Sequence, residues 1–286
     1  GTGCSAATRA AQLGMKTLIL EKQSLTGGTS MCTEGLFASE SHWQKEAGVD
    51  ITTEECFKAA MEYAHWLADG ELCNSFFQAS AANIDWMESV GIKFKAVGKM
   101  GDSFQTWHLY ETEEGKISGY KYVQMWKAAA EAQGAEFVMQ TKAVQVVMDN
   151  GAVAGVVAQN NSGDYVYYKA PVVVMATGGY ADSAEYLTEV AGVNPENVVV
   201  MGVGSRDGDG IRMAIDAGGK WAYAPGTIMF FGGNLKGIAY GTHLYCATAF
   251  QPLLWVNQKG KRFVNEMVSE DNFSFSGNAQ KMQKKL

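Results

Sequence analysis

Glycine and alanine recur at the start of the sequence with the spacing that binds phosphate. Gly1 and Gly3 are placed for a sharp turn in which backbone N–H groups approach a pyrophosphate. Ala6 takes the third position, where a small side chain lets helix and strand pack closely. The phosphates would lie at the N-terminus of the following helix, where unpaired N–H groups and the helix dipole favour anions. The pattern predicts a dinucleotide-binding turn.

An acidic residue follows at the distance at which such a turn holds a ribose. Residues 5–13 predict a helix with a face of small apolar side chains, which stops at Gly14. Residues 17–20 predict a buried strand. Glu21 ends this strand about 20 residues after the turn, where a carboxylate binds the hydroxyls of an adenosine ribose. Lys22, the next residue, is a further cofactor-binding candidate. A glycine pair alone would be weak evidence, because many loops contain one; the helix, strand and acid together predict a nucleotide site.

The loop at residues 25–36 is rich in glycine, threonine and serine. Thr29 and Ser30 offer hydroxyl groups to phosphate or ribityl oxygens, while Gly28 and Gly35 let the backbone come close. We interpret this loop as one that wraps a cofactor. An ordinary solvent-exposed loop is the alternative.

Helical and alternating patterns along the rest of the chain predict an α/β fold. Helices are expected at residues 53–67, with Thr52 or Thr53 as the cap, and at residues 71–90 and 122–133. Strands are expected at residues 137–139, 143–148, 153–158 and 165–168. The last three strands form a small antiparallel layer, because Asp149-Asn150-Gly151 is a strong hairpin signal. Residues 98–120 show no clear period, and we expect them to be irregular, with His108 as a weak functional candidate.

Residues 171–176 predict a fully buried strand that ends in Thr177 and Gly178. Small residues at the end of a strand in a parallel sheet mark the place where ligands bind. Asp209, between two glycines, is a candidate of the same kind, although a simple turn residue would show the same pattern.

Composition excludes several classes of function. The net charge of −7 argues against a nucleic-acid partner, since there is no basic stripe. No apolar run reaches the length of about 18 residues that spans a membrane. The five cysteines are an odd number without a C-x-x-C pair, so neither a disulfide framework nor a metal site is expected.

The length of 286 residues and a hydrophobic content of 47% indicate one large domain and part of a second. The strand that normally precedes the dinucleotide turn is expected upstream of Gly1, and residues 272–286 predict a helix interrupted within a domain. We therefore expect that the sequence is truncated at both ends. The sequence does not indicate the cellular compartment of the protein.

Several motifs, in their order and spacing, resemble the FAD-dependent fumarate reductase and succinate dehydrogenase flavoprotein superfamily. The soluble branch that includes flavocytochrome c and urocanate reductase is the most similar, and the ketosteroid dehydrogenases are more distant. The motifs are Gly1-x-Gly3 with Glu21, Gly-Gly-Thr-Ser at residues 27–30, Ala-Thr-Gly-Gly at 176–179, Gly-Asp-Gly-Ile-Arg-Met-Ala at 208–214, and Arg-Phe-Val-Asn-Glu at 262–266.

The resemblance implies a Rossmann-like FAD-binding domain at residues 1–224, carrying the antiparallel layer, and the start of a capping domain at residues 225–286. It places Glu21 at the adenosine ribose and Val144 near the adenine. The loop with Gly28, Thr29, Ser30 and Gly35 would lie along the flavin and pyrophosphate, and Thr177, Gly178 and Asp209 would reach the cofactor. The histidine that tethers the flavin in the membrane-complex branch has no counterpart here, which implies non-covalent FAD.

The substrate residues of the fumarate reductases are not recognisable. Residues 223–227 and 244–250 stand where that family has its dicarboxylate clamp, and neither matches it. The family's proton-donating arginine is replaced by Ser269-Glu270-Asp271. Glu270 is thus the candidate catalytic acid; a surface carboxylate is the alternative, with the acid then a tyrosine or a residue beyond Leu286.

The implied function is reduction of an activated C=C bond in a small enoate-type substrate, by hydride from flavin N5 and protonation. The electron donor is unidentified and could be a haem or FMN domain or a separate protein. Two alternatives stay open: a ketosteroid-type flavin dehydrogenase, and a non-catalytic fragment of such a flavoprotein.

Glu21→Ala in the full-length protein should weaken FAD binding by about 1.5–3 kcal/mol, because a charge-assisted hydrogen bond to the ribose is lost. Titration of the apoprotein with FAD measures the change. An unaltered dissociation constant would contradict the role assigned to Glu21.

Overall fold

The computed structural model describes residues 1–99, 103–112, 118–198, 200, 204–222 and 254–267. The helices in these ranges are α1 (Thr2–Gln12), α2 (His42–Glu46), α3 (Thr53–Tyr63), α4 (Gly70–Ser89), α5 (Ser118–Ala132), α6 (Ala184–Glu189) and α7 (Asp209–Asp216), with 3₁₀ helices at Gly28–Cys32 and Pro195–Asn197. The strands are β1 (Leu18–Leu20), β2 (Gly35–Phe37), β3 (Phe94–Gly98), β4 (Trp107–Tyr110), β5 (Glu136–Val138), β6 (Lys142–Asp149), β7 (Ala152–Gln159) and β8 (Tyr165–Lys169). None of the helices in the described residues is both long and apolar enough to span a bilayer.

The first helix packs through alanines onto a two-stranded parallel sheet. β1 pairs in parallel with β5, and Ala7 of α1 is buried with Ala130 of α5 and with Ala135. Gly14, which follows α1 and its C-cap residue, adopts the left-handed conformation (φ 80°), as predicted for a helix stop. The helix begins at Thr2 and not at residue 5, because the predicted turn is already its first turn.

The main core lies between the helices and the antiparallel sheet β2-β4-β3. Tyr110 stacks on Tyr122 with ring centroids 3.9 Å apart, and Trp126 and Ile84 are fully buried beside them. The expectation of an irregular segment at residues 98–120 was wrong for β4. His108 is polar but fully buried in β4. The sequence of this strand therefore lacks the alternation of apolar and polar residues that would have predicted it.

His108 has a structural environment. Its Nε2 lies 2.6 Å from the Ser41 hydroxyl, and its Nδ1 lies 3.0 Å from the carbonyl oxygen of Thr106. Because Nδ1–H donates to that carbonyl, Nε2 accepts from Ser41, which caps α2. Burial lowers the pKa of His108, which favours this neutral form.

The predicted antiparallel layer is confirmed. β6, β7 and β8 form a three-stranded antiparallel sheet. Asn150 (φ 49°) and Gly151 (φ 81°) both have the positive φ that a two-residue hairpin turn requires. The Thr52 cap of α3 is confirmed as well, with its hydroxyl accepting from the Glu55 N–H. This helix ends at Tyr63, four residues early, because His65 and Trp66 adopt positive φ.

The prediction of a buried strand at residues 171–176 was wrong. The segment belongs to no sheet in the described residues, and Val172 and Val174 are 74% and 62% exposed. A run of valines indicates a strand, but pairing and burial depend on a neighbouring strand that this pattern does not specify.

The chain divides into two compact units. The first comprises Gly1–Gly178, Gly202–Ser205 and Asp209–Trp221, and the second comprises Gly179–Met201, Arg206–Gly208 and Ala222–Leu286. In the second unit, the Arg206 guanidinium pairs with both carboxylate oxygens of Asp182.

In the stretch that contains the Arg-Phe-Val-Asn-Glu motif, an antiparallel bridge joins Val256 and Arg262. The Glu266 carboxylate accepts from the Trp255 N–H and from Arg262, which lowers the pKa of Glu266 to about 2. Residues 223–253 and 268–286, with Glu270, lie outside the described residues.

Candidate cofactor site

Three segments of the first unit meet at the N-terminus of α1. Gly1 is the N-cap residue of this helix, and no side chain in the described residues caps it. A Cβ on Gly1 would lie 2.7 Å from the Ser30 hydroxyl, and one on Gly3 would lie 3.3 Å from the Cβ of Ala176. The two glycines thus let the 3₁₀ helix Gly28–Cys32 and the segment before Thr177 approach the helix terminus.

The glycine-rich loop presents an open backbone beside this terminus. Gly28 adopts φ 54°, and among the described residues nothing apart from its two chain neighbours lies within 4 Å of where its side chain would be. Thr29 is exposed, and Ser30 is partly buried next to Gly1. A ligand can therefore contact the backbone and hydroxyl groups of this loop.

Gly119 packs against the glycine-rich loop and was not among the residues predicted from the sequence. A Cβ on this residue, which lies in the first turn of α5, would collide with the Ser30 carbonyl oxygen and lie 2.6 Å from the carbonyl carbon of Met31. A glycine at the start of a helix was the available signal, but its contact with a loop 90 residues earlier is not a local pattern.

Asp209 is the first residue of α7, and two lysines converge on it. Its Oδ2 lies 3.0 Å from Lys142 Nζ and 3.4 Å from Lys22 Nζ. Burial acts to raise the pKa of Asp209, but the two ammonium groups outweigh it and hold the pKa below its usual range. The predicted residues Lys22 and Asp209 are thus in contact, while Lys142 was not predicted.

The next residue brings α7 against the predicted ligand segment. A Cβ on Gly210 would collide with the Thr177 hydroxyl and lie 2.8 Å from the Thr177 Cβ. Thr177 and Gly178 are both exposed, and Gly178 adopts φ 81°. The contact places Thr177 close to the α7 terminus that carries Asp209.

Glu21 lies at the end of β1, as predicted. Its N–H donates to the Val138 carbonyl (3.0 Å), and its carbonyl accepts from Thr141 (2.9 Å). Its Oε1 accepts from the Gln23 N–H at 2.8 Å, which orients the carboxylate. A carboxylate held in this way at a strand end can accept ribose hydroxyls.

The remaining candidates are more scattered. Ala6 is partly buried on α1, and Val144 is 37% exposed at a bulge between Ala143 and Gln145 of β6. Gly35 lies in β2, where a Cβ would come within 2.7 Å of Trp107 Nε1. Packing alone therefore explains glycine at residue 35, and its cofactor role stays a prediction. Glu270 is outside the described residues.

The donor set fits a dinucleotide. An uncapped helix terminus offers N–H groups to a pyrophosphate, and its first turn contains no acidic residue that would repel one. The open glycine backbone and the carboxylate at the strand end complete the requirements for phosphate and ribose.

The profile of the FAD binding domain family matches residues 1–285. The chain belongs to this family. FAD is therefore the cofactor that the site residues must hold, and the predicted resemblance to the fumarate reductase superfamily is confirmed by the relatives below.

Two curated relatives extend along almost the whole chain. Vinyl phenol reductase of Lactiplantibacillus plantarum is 33% identical over 285 residues, which are 97% of this chain and 57% of that protein. Fumarate reductase (cytochrome) of Shewanella frigidimarina is 28% identical over 283 residues, which are 96% of this chain and 48% of that protein. The chain thus spans about half the length of the curated relatives it matches.

Two solved structures share the fold. The open conformation of a flavocytochrome c3 fumarate reductase has a TM-score of 0.67 at 25% identity, covering 75% of this chain and 38% of that one. A 3-ketosteroid-Δ4-(5α)-dehydrogenase of Rhodococcus jostii has a TM-score of 0.78 at 22% identity, covering 96% of this chain and 61% of that one. The predicted fold class, a Rossmann-like FAD-binding fold, is confirmed.

Gly119→Ala should destabilise the protein by about 1–3 kcal/mol and weaken FAD binding, because the added methyl group displaces the 3₁₀ helix Gly28–Cys32. Gly70→Ala is the matched control: it also lies at a helix start, but in the part of the chain that the structure describes its Cβ would meet only Met61 Cε, at 3.8 Å. Urea unfolding and FAD titration of the full-length variants provide the measurements. Equal behaviour of the two variants would contradict the supporting role of Gly119.

Proposed function

We propose that the protein containing this chain is an FAD-dependent oxidoreductase that reduces an activated C=C bond in an enoate-type small molecule. The observation that carries the proposal is the match of 97% of the chain to a vinyl phenol reductase, joined by the match to a fumarate reductase. The compounds named for both relatives contain a C=C bond conjugated to a ring or to carboxylates. The shared chemistry is the addition of two electrons and two protons to such a bond, delivered as a hydride and a proton.

FAD, when bound and reduced, supplies a hydride, and the protein supplies geometry, charge and the proton. The N–H groups at the start of α1 bind the pyrophosphate, and Glu21 accepts the ribose hydroxyls. Thr177 and Gly178 lie along the cofactor beside the α7 terminus that Asp209 occupies. Attachment is non-covalent, so denaturation of the full-length protein should release the flavin.

Residues 1–224 act as the FAD-binding domain, and residues 225–286 begin a capping domain over the substrate. The electron donor is a haem or FMN domain of the same protein, or a separate protein. The cytochrome named for the fumarate reductase relative supports a donor of this kind. The length of the relatives outside the matched region leaves room for such a domain.

Glu270 is the proposed proton donor. It follows Glu266 by four residues, and the bonds from Trp255 and Arg262 to Glu266 hold the preceding hairpin together. A carboxyl group can donate at neutral pH only if its pKa is raised, and closure of a cap over an apolar flavin face would supply the required desolvation. If Glu270 is instead a surface carboxylate, the acid is a tyrosine or another residue of the whole protein.

A ketosteroid-type dehydrogenase is the second candidate, running the reverse reaction on a bulky substrate. The dehydrogenase structure covers 96% of the chain, but at 22% identity this likeness concerns the fold. A non-catalytic fragment of such a flavoprotein is the third. The substrate comparison below separates the first two candidates.

Fumarate should be a poor substrate of the full-length protein compared with an aromatic enoate such as a cinnamate, because the dicarboxylate clamp is not recognisable. Loss of a charged hydrogen bond to the second carboxylate predicts a kcat/KM lower by at least about tenfold. Anaerobic oxidation of reduced flavin by each compound measures the difference. Fumarate turnover as efficient as that of the aromatic compound would contradict the assignment, and reduction of the oxidised flavin by a 3-ketosteroid would favour the second candidate.

Glu270→Gln should slow substrate reduction by at least about a hundredfold with unchanged FAD content, because positioned proton transfer contributes about 10²–10⁴-fold. Asp271→Asn is the matched control, since it removes the neighbouring charge. Single-turnover oxidation of the reduced flavin is the measurement. A loss of less than about tenfold, or an equal loss in both variants, would exclude Glu270 as the acid.

A further inference from the structure

One carboxylate ties together three separate elements of the first unit. Asp209 begins α7, Lys142 begins β6, and Lys22 stands two residues after β1. Both ammonium groups contact the same oxygen, with Lys142 the closer at 3.0 Å and Lys22 at 3.4 Å. A shift of any one element changes the contacts of the other two.

Asp209 is sheltered enough for these contacts to matter. Its side chain is 22% exposed, compared with 46% for Lys142. Exposed ion pairs contribute little to stability, whereas a mostly buried carboxylate loses more when a charged partner is removed. Lys142 is therefore more than a solvated surface charge.

The position of Asp209 determines what the next residue contacts. A side chain at Gly210 would collide with Thr177, so α7 and the segment around Thr177 pack closely. Movement of Asp209 would carry the start of α7 along Thr177. The exposed residues Thr177 and Gly178 would then shift as well. The lysine contacts thereby set the position of residues that the cofactor needs.

We propose that Lys142 is a positioning residue of the FAD site, which acts through Asp209 and does not touch the cofactor. This inference rests on the proposed function, in which Thr177, Gly178 and Asp209 lie along FAD. Lys22 contacts the same oxygen, but its neighbour Glu21 is the proposed ribose ligand, so Lys142 is the residue at which the effect can be isolated.

The test is a double-mutant cycle in the full-length protein. FAD dissociation constants are measured by titrating apoprotein and following flavin fluorescence, and urea unfolding of each apoprotein is recorded in parallel. Lys142→Gln should weaken FAD about three- to tenfold, and Lys142→Arg, which keeps the charge, should stay within about twofold. Lys169→Gln, which removes an exposed lysine from β8 of the same sheet, is the matched control and should have no effect.

In an Asp209→Asn background, Lys142→Gln should add less than about a twofold further loss, because its partner is already absent. A full further loss would mean that Lys142 binds FAD itself, and it would overturn the inference. Equal behaviour of Lys142→Gln and Lys169→Gln would also overturn it. If Lys142→Gln does not fold, Lys142→Arg decides: near-normal FAD binding supports the inference, and a loss above about tenfold overturns it.

Different results would overturn the proposed function and the role of Lys142. An unaltered full-length protein that binds no FAD would overturn the proposed function and this inference together. FAD binding that is unaffected by Lys142 would overturn the inference alone.

Discussion

The candidate site depends on backbone segments that approach one another where side chains are absent. Gly1 and Gly3 admit Ser30 and Ala176 to the start of α1, Gly119 admits the glycine-rich loop to α5, and Gly210 admits Thr177 to α7. A Cβ on Gly119 or Gly210 would collide with the facing segment, and one on Gly1 or Gly3 would lie 2.7 Å from the Ser30 hydroxyl or 3.3 Å from the Ala176 Cβ, so a side chain at any of these residues would displace its neighbour. The main core and the alanine contacts of α1 supply the rigid support that these approaches require.

Charge distinguishes the two helix termini in this region. The first turn of α1 contains no acidic residue, and no side chain in the described residues caps it, so its N–H groups are available to an external anion. The terminus of α7 carries its own anion, Asp209, which two lysines hold in place. We therefore propose that the pyrophosphate of FAD binds at the start of α1 and that α7 has a positioning role.

Local patterns in the sequence predicted the local structure well. The Thr52 cap, the Asn150-Gly151 turn and the helix stop at Gly14 were all correct because each depends on a few adjacent residues. The larger errors concerned pairing and burial: residues 171–176 belong to no strand in the described residues, and His108 is buried in a strand that lacked an apolar alternation. Gly119 and Lys142 were missed because their partners, Ser30 and Asp209, are far away in the sequence.

The most direct test of this account is a crystal structure of the full-length protein with FAD. The account predicts pyrophosphate oxygens within about 3.2 Å of backbone N–H groups in the first turn of α1, and a ribose hydroxyl within the same distance of the Glu21 carboxylate. A pyrophosphate bound at the α7 terminus, or a ribose remote from Glu21, would contradict it.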